Sequence, residues 1–259
     1  MNLIIDDSNA HIYAQGTSTC GGRGLIPRDL DANPHGSMGF AAAFDLPIIP
    51  RTEWSDRIKE MKATESRLSD VWRLRKLEPL NQGQTNYCWA HGPVTAMMII
   101  RAVNNLPSVR LAATAVGAQV KNFKNVGGWG GEALAFIVEH GVPSTEFWTP
   151  NDINRKYVTQ AMKDNAALHK VVEWYDLKPR SFDQLMTCLL LRIPVAVGYN
   201  WWSHEVCAID PVEISPNNYG ADIMNSWGLW SDDGIATLTE SKAIPDDAVA
   251  PRVVSFSDN

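Results

Sequence analysis

Residues 82–89 read Gln-Gly-Gln-Thr-Asn-Tyr-Cys-Trp, and they lead into an apolar stretch at 90–103 that predicts a helix. Cys88 is therefore expected at a helix N-terminus, where the partial positive charge favours a thiolate over a thiol. Gln82 lies six positions upstream, across the turn-forming Gly83, so it can fold back and aim its amide at an anion beside the sulfur. A lone cysteine at a helix start is more often a small buried core residue. The interpretation therefore depends on the rest of the chain.

Two later segments supply the groups that a cysteine nucleophile requires. His204 stands at the entrance of one strand-like segment, and Asn225 follows another. A thiol nucleophile needs a base that takes its proton and a third group that holds the base in one tautomer and orientation. Cys88, His204 and Asn225 can fill these roles in chain order.

The chain resembles the papain-like cysteine peptidases in four short motifs. They are Gln-Gly-x-x-x-x-Cys-Trp-Ala at 82–90, Gly130-Gly131 before an amphipathic helix, His204-Glu205-Val206, and Asn225-Ser226-Trp227-Gly228. Each motif is weak alone, but the four are specific together, and they follow the family's order over residues 82–228.

The resemblance implies an α+β, papain-like fold with two lobes and an active-site cleft between them. A helical lobe is expected at about 80–170 and an antiparallel β-barrel-like lobe at about 171–256. Residues 46–259 would form this domain, and residues 1–45 would be an extended N-terminal arm. Hydrophobic periodicity in turn predicts helices at 54–72, 109–120, 132–140, 151–169 and 182–191.

The resemblance also implies a role for each motif residue. Cys88 would be the nucleophile, His204 the base, Asn225 its orienter and Gln82 the side-chain oxyanion donor, while Trp227 would shield the Asn–His hydrogen bond. In the resting site the sulfur and the imidazole would form a thiolate–imidazolium pair. We therefore expect a cysteine-type endopeptidase that requires no metal and no organic cofactor.

The glycine-rich stretch at 127–131 predicts where a substrate would bind. Four glycines in five residues permit close backbone approach. The resemblance implies that Gly130 and Gly131 pair with an extended substrate main chain, with Trp129 as a subsite wall and Trp227 close by. A plain tight turn is the alternative interpretation of this stretch.

Composition excludes several functional classes. The chain is 45% hydrophobic and 20% charged with ten Trp, which is typical of a globular protein. Its formal net charge of −6 argues against nucleic acid as a partner, because phosphate neutralisation needs clustered Lys and Arg. No apolar segment approaches the length that spans a bilayer. The expected partner is a polypeptide substrate.

The cysteines predict a reducing compartment. Cys20, Cys88, Cys188 and Cys207 are too few and too scattered for a disulfide framework or a zinc site. Secretory members of the resembling family usually join two loops by a disulfide, and the two positions read Thr85 and Gly128 here. The N-terminus also lacks the basic start of a secretory signal. We therefore expect a cytoplasmic protein.

Residues 1–45 are rich in Gly and Pro, which favours an extended arm with turns. Two functions are open for it: an inhibitory pro-segment across the cleft, or an arm that contacts neighbouring subunits. The second leads to an alternative for the whole chain, a papain-fold structural or assembly subunit, for example in a phage virion. Thiol acyl transfer or amidase chemistry with the same residues is a third possibility.

Two features depart from the family pattern, at His91 and at 199–203. His91 lies one helical turn after Cys88 and could modulate the thiolate or compete as the base. The short connection at 199–203 leaves one side of the cleft open, where Trp201 and Trp202 would rebuild part of the wall. Glu205 is expected to point away from the catalytic face, as a surface group or a support behind the site.

Overall fold

The computed structural model describes residues 3–15, 21–39 and 41–255 of the 259-residue chain. Eight α-helices lie in these ranges: α1 (Ala10–Ala14), α2 (Arg51–Ala63), α3 (Leu68–Leu74), α4 (Cys88–Val103), α5 (Ala113–Val120), α6 (Gly130–His140), α7 (Gln160–Ala167) and α8 (Phe182–Leu190). The strands are β1 (Leu3–Ile5), β2 (Ala41–Ala43), β3 (Val171–Asp176), β4 (Val195–Tyr199), β5 (His204–Ser215), β6 (Asn218–Met224), β7 (Ile235–Thr239) and β8 (Asp247–Val254). Within the described ranges, no helix is both long and apolar enough to span a membrane.

Helix α4 is the central element of the molecule. It is apolar on all sides, and nearly all of its residues are buried, as expected of a helix enclosed by other elements. It packs on β4, β5 and β8 on one side and on α5 and α6 on another. The helix continues through Pro93, and Gly92 allows close approach to β5, because a methyl group at Gly92 would lie 3.2 Å from the Val206 carbonyl oxygen.

The strands form one mixed sheet in the order β1-β7-β6-β5-β4-β8-β3-β2. Its six inner strands are antiparallel to their neighbours, whereas β1 pairs in parallel with β7 and β2 in parallel with β3. Two large hydrophobic clusters result: one centred on α4 to α6, the other on the far side of the sheet with α8. The predicted α+β fold, with a helical and a β portion, is confirmed.

The N-terminal segment differs from the prediction. Residues 1–45 were expected to be an arm outside a domain at 46–259, but β1 and β2 are the two edge strands of the main sheet. Leu3 lies opposite Ala236 and Ala41 opposite Trp174. Without β1 and β2, the strands β7 and β3 would have unpaired N–H and C=O groups at the edges of the sheet, and these two short strands cover them. The segment is therefore an integral part of the fold, and the proposed boundary at residue 45 does not separate two units.

The predicted helix at 151–169 is also shorter than expected. It is reduced to a 3-10 turn at Arg155–Tyr157 and helix α7, which starts after Thr159. The Thr159 hydroxyl accepts a hydrogen bond from the Met162 backbone N–H, an N-cap that fixes this start. The polar residues before Thr159 form turns instead.

Candidate active site

Cys88 is the first residue of α4 and is fully buried. The preceding residue, Tyr87, anchors this end of the helix: its hydroxyl donates to the Lys124 carbonyl at 2.8 Å, and its own carbonyl accepts from the backbone N–H groups of Ala90 and His91. The sulfur therefore lies at the N-terminal end of a rigid, buried helix, as the sequence predicts.

His204 and Asn225 come together because β5 and β6 pair antiparallel, with Cys207 opposite Met224. The start of β5 thus lies beside the end of β6. Nε2 of His204 is 2.8 Å from Oδ1 of Asn225, which also accepts the Ser226 backbone N–H at 2.7 Å. A carbonyl oxygen only accepts hydrogen bonds, so Nε2 carries the proton and Nδ1 of the neutral ring is free to accept one. Nδ1 is buried and has no hydrogen-bond partner among the described residues.

Aromatic rings enclose this histidine. Trp227 stacks on His204 with ring centroids 4.6 Å apart and planes at 29°, and Trp202 meets it edge-on at 5.0 Å. The placement of Trp227 is the one that the resemblance implies, over the histidine that bonds Asn225. Trp202 is fully buried behind His204, so it belongs to the core and not to a rebuilt cleft wall as expected.

The side chain of Gln82 is fixed at both ends. Its Oε1 accepts from the Ser226 hydroxyl, and its Nε2 donates to the carbonyl oxygens of Thr85 and Gly22, each at 2.8 Å. The Gln82 backbone N–H also donates to the Ser226 carbonyl at 2.8 Å. One amide hydrogen is therefore used within its own loop, and the other is directed at the N-terminal segment.

Residues 21–28, which we call the arm segment, run through this site as extended chain. Leu25 pairs in parallel with Gly128: the Gly128 N–H donates to the Gly24 carbonyl and the Ile26 N–H to the Gly128 carbonyl, each at 2.9 Å. The Leu25 N–H donates to the Ser203 carbonyl, next to His204. The Gly24 backbone also lies close enough to the Cys88 thiol to oppose part of the rise in its pKa. The arm segment therefore covers the sulfur and the groups around it.

Glycines make this close approach possible. A methyl group at Gly24 would lie 2.0 Å from the Asn86 carbonyl oxygen, and one at Gly22 would lie 2.1 Å from the Thr85 carbonyl oxygen. Between them, Arg23 donates to the carbonyls of Tyr13 and Ala14. No residue larger than glycine fits at 22 or 24 without displacing the segment.

Burial keeps both reactive groups neutral in this state. Burial, together with a smaller contribution from the nearby Glu205, raises the pKa of the Cys88 thiol to about 12. Burial also lowers the pKa of His204 to about 3, with a further contribution from the Arg23 guanidinium on the arm segment. The expected thiolate–imidazolium pair is therefore wrong for the covered site, because neither charge is solvated there.

The arm segment pairs with Gly128, and not with Gly130 and Gly131, the residues that the resemblance implies for a substrate. Gly130 and Gly131 are buried in the first turn of α6, where added methyl groups would strike Glu205 and Trp129. They offer no free edge, and Gly128 is the residue that pairs with extended chain. Residues 127–128 are the other glycine pair of the same stretch, and the arm segment pairs with this one.

His91 is a structural residue. It is buried, and its Nδ1 lies 2.8 Å from the Tyr87 carbonyl oxygen, one helical turn back. Burial lowers its pKa to about 4, so the ring is neutral near pH 7. Its side chain supports the start of α4.

The cysteines of the described residues, Cys88, Cys188 and Cys207, are free thiols, and Cys20 lies outside those residues. Hydrogen bonds, instead of a disulfide, join the loop before α4 to the loop before α6. The Asn86 N–H donates to Asn125 Oδ1 at 2.6 Å, and Asn86 Nδ2 donates to the Asn125 carbonyl at 3.1 Å.

The fold of the chain, but not its sequence, is similar to that of known proteins. No protein-family profile and no curated protein sequence matches the chain. Among solved structures, xylellain, a cysteine protease from Xylella fastidiosa, matches with a TM-score of 0.61 at 16% identity, over 90% of this chain and 97% of that one. Digestive procathepsin L 3 of Tenebrio molitor larval midgut matches with a TM-score of 0.59 at 18% identity, over 70% and 68%.

The bromelain protease from Ananas comosus, solved with the E64 inhibitor, gives a TM-score of 0.54 at 18% identity, over 70% of this chain and 96% of that chain. At such identities the similarity is one of fold. The chain has the fold of the papain-like cysteine proteases.

Proposed function

We propose that this chain is a thiol-dependent peptidase and that the arm segment keeps it latent. Cys88 is the nucleophile, His204 the base, Asn225 the group that orients the base, and Gln82 an oxyanion donor. The 2.8 Å bond from His204 to Asn225 supports these roles, because it leaves Nδ1 as the accepting nitrogen of the ring.

The reaction follows from this arrangement once the site is open. His204 Nδ1 takes the thiol proton as the Cys88 sulfur attacks a peptide carbonyl carbon, and the carbonyl electron pair moves onto oxygen. The Gln82 amide and the Cys88 backbone N–H donate to that oxygen, and each such donor contributes about 3–4 kcal/mol. The imidazolium then protonates the departing amine as the C–N bond breaks. Water, deprotonated by His204, cleaves the thioester and restores the thiol.

One observation carries the proposal: a polypeptide main chain already lies across the candidate site. The Gly22 carbonyl accepts from Gln82, and Gly128 pairs with the chain on either side of Leu25. Pairing of N–H and C=O groups with an exposed backbone is how proteins recognise extended peptides. The site is thus fitted to a peptide and not merely to a small thiol-reactive molecule.

The same contacts account for latency. The sulfur is fully buried and un-ionised beneath the arm segment, so no substrate carbonyl can reach it. Of the two functions open for residues 1–45, the contacts favour an inhibitory segment. Gly22, Gly24 and Leu25 are hydrogen-bonded to their own chain around the candidate site, as an inhibitory segment would be.

The test uses the full chain with Gly24→Val, which should displace the arm segment through its clash with Asn86. We expect this variant to react with E64 at Cys88 at least 10-fold faster than the unaltered chain, and to cleave an unfolded protein substrate. Gly39→Val is the matched control, because a side-chain atom there meets nothing within 4 Å. Adding Cys88→Ala should abolish both labelling and cleavage.

Mass spectrometry of the products separates hydrolysis from acyl transfer to an added amine. A Gly24→Val chain that keeps its melting transition yet is neither labelled at Cys88 nor active would contradict the peptidase proposal. The alternative, a papain-fold structural subunit, would then be favoured.

A further inference from the structure

Three buried carboxyl groups, those of Asp176, Glu205 and Asp247, lie near one another. Glu205 on β5 and Asp247 on β8 are both register partners of Gly198 on β4, so their side chains project from the same face of the sheet on either side of a residue without a side chain. Asp176, at the end of β3, contacts the same arginine as Asp247. All three carboxyl groups are at least nine-tenths buried as residues.

The arm segment fills the space between these carboxyls. A methyl group at Gly198 would lie 3.2 and 3.3 Å from the two δ-carbons of Leu25, so the leucine side chain rests on the glycine between Glu205 and Asp247. Oε1 of Glu205 is buried and has no hydrogen-bond partner among the described residues. The Glu205 carboxyl lies against Gly130 at the start of α6, whereas Leu25 rests on Gly198.

Among the described residues, Arg28 is the side-chain cation that contacts both Asp176 and Asp247. Its guanidinium makes a two-point contact with Asp176 at 2.7 and 2.9 Å and a third contact with Asp247 at 3.3 Å. It also lies over the Trp129 ring, 4.5 Å from the centroid, and its side chain is only 2% exposed. The remaining donors are directed at the carbonyls of Asn33 and Pro34, and the Gly36 N–H donates to Asp176.

Departure of the arm segment would leave Asp176 and Asp247 without their cation. Removing one partner of a buried ion pair leaves an uncompensated charge, which is strongly unfavourable. The vacated site therefore favours any ligand that restores a planar cation between the carboxylates and the tryptophan. A guanidinium satisfies both the two-point contact and the ring stacking, whereas an ammonium group satisfies neither as well.

We propose that Asp176, Asp247 and Trp129 form an acidic subsite that binds an arginine side chain of the peptide substrate, and that Arg28 fills this subsite in the latent chain. The inference rests on the proposed peptidase function and adds its specificity. Arginine at one substrate position is preferred over lysine, and lysine over neutral residues.

The experiment uses the full-length Gly24→Val chain and matched fluorogenic peptides. The peptides carry arginine, lysine or citrulline at successive positions around the cleaved bond, because citrulline keeps the shape of arginine without its charge. At one position, citrulline should lower kcat/KM by about 10- to 100-fold relative to arginine, as expected for loss of a charged hydrogen-bonded contact. Lysine should fall between the two.

Asp247→Asn should reduce the arginine-to-citrulline ratio toward 1, and Asp176→Asn serves as the second variant if the first does not fold. Glu173→Gln is the matched control, because that carboxylate lies on β3 but pairs with Arg252 at 39% exposure. It should keep the full ratio.

The outcomes separate the two proposals. A chain that cleaves peptides with a ratio near 1 at every position, or whose ratio is unchanged by Asp247→Asn, overturns the subsite and leaves the peptidase. A chain that is neither labelled by E64 nor active overturns the peptidase, and the subsite proposal falls with it.

Discussion

The carbonyl oxygen of Gly22 lies 2.8 Å from Nε2 of Gln82. The chain thus presents one of its own peptide carbonyls to the donor that is proposed to stabilise the oxyanion. The Gly24 backbone lies close to the Cys88 thiol, so the arm segment occupies groups that the proposed mechanism assigns to the substrate.

Replacing Gln82 tests the oxyanion role. In the Gly24→Val chain, Gln82→Ala should lower the rate of peptide hydrolysis by about two to three orders of magnitude, because one donor to the developing charge is lost. Alkylation of Cys88 by iodoacetamide forms no oxyanion, so its rate should change only a few-fold. A parallel loss of both rates would mean that Gln82 serves only to hold its loop through Thr85 and Ser226.

Replacing Arg28 tests the anchoring of the arm segment. Arg28→Gln leaves Asp176 and Asp247 buried without their cation, which typically costs about 3–5 kcal/mol. The segment should detach more often, and E64 should label Cys88 at least 10-fold faster than in the unaltered chain. Arg51→Gln is the control, since the Arg51–Asp183 pair is exposed and should contribute about 0–1 kcal/mol. Equal labelling rates in the two variants would show that Arg28 does not hold the segment.

The two histidines near Cys88 can be distinguished by substitution. In the Gly24→Val chain, His204→Ala should abolish turnover, whereas His91→Phe should keep turnover within a few-fold and lower the free energy of unfolding by about 1 kcal/mol through the lost bond to Tyr87. Steady-state kinetics and urea denaturation measure the two effects. A loss of more than 100-fold in His91→Phe would instead identify His91 as the base.

A buried carboxyl away from the cleft gives a pH prediction. Burial raises the pKa of Asp222 to about 6, although the Thr237 hydroxyl donates to it. The folded chain binds this proton more tightly than the unfolded chain, so the group lowers the free energy of unfolding as pH rises from about 4 to about 6. Asp222→Asn stays neutral and should be more stable than the unaltered chain above pH 7, by up to about 3 kcal/mol.

Urea denaturation at pH 4.5 and pH 7.5 measures this difference. Asp183→Asn, at an exposed position, should show no comparable change between the two pH values. If Asp222→Asn has the same pH dependence as the unaltered chain, the carboxyl is ionised in the fold at little cost.

Local pattern was enough to locate most elements and to name the candidate site residues. The apolar run after Cys88 predicts α4, and the strand-like segments next to His204 and Asn225 predict β5 and β6, which bring the two residues together. These features depend on side-chain period and on groups that are near one another in sequence or in adjacent strands. The pairing of Gln82 with the Cys88 loop is of the same kind.

Contacts between distant residues decided the rest. The path of residues 21–28 depends on bonds to Gln82, Gly128 and Ser203, which are 60 to 178 positions away, and a Gly-rich extended segment has no period that reveals its partners. The arm segment pairs with Gly128 because the start of α6 buries Gly130 and Gly131. The burial of Glu205 depends on three strands in register. The charges of Cys88 and His204 follow from that enclosure, because ionisation depends on the solvent that the whole fold excludes.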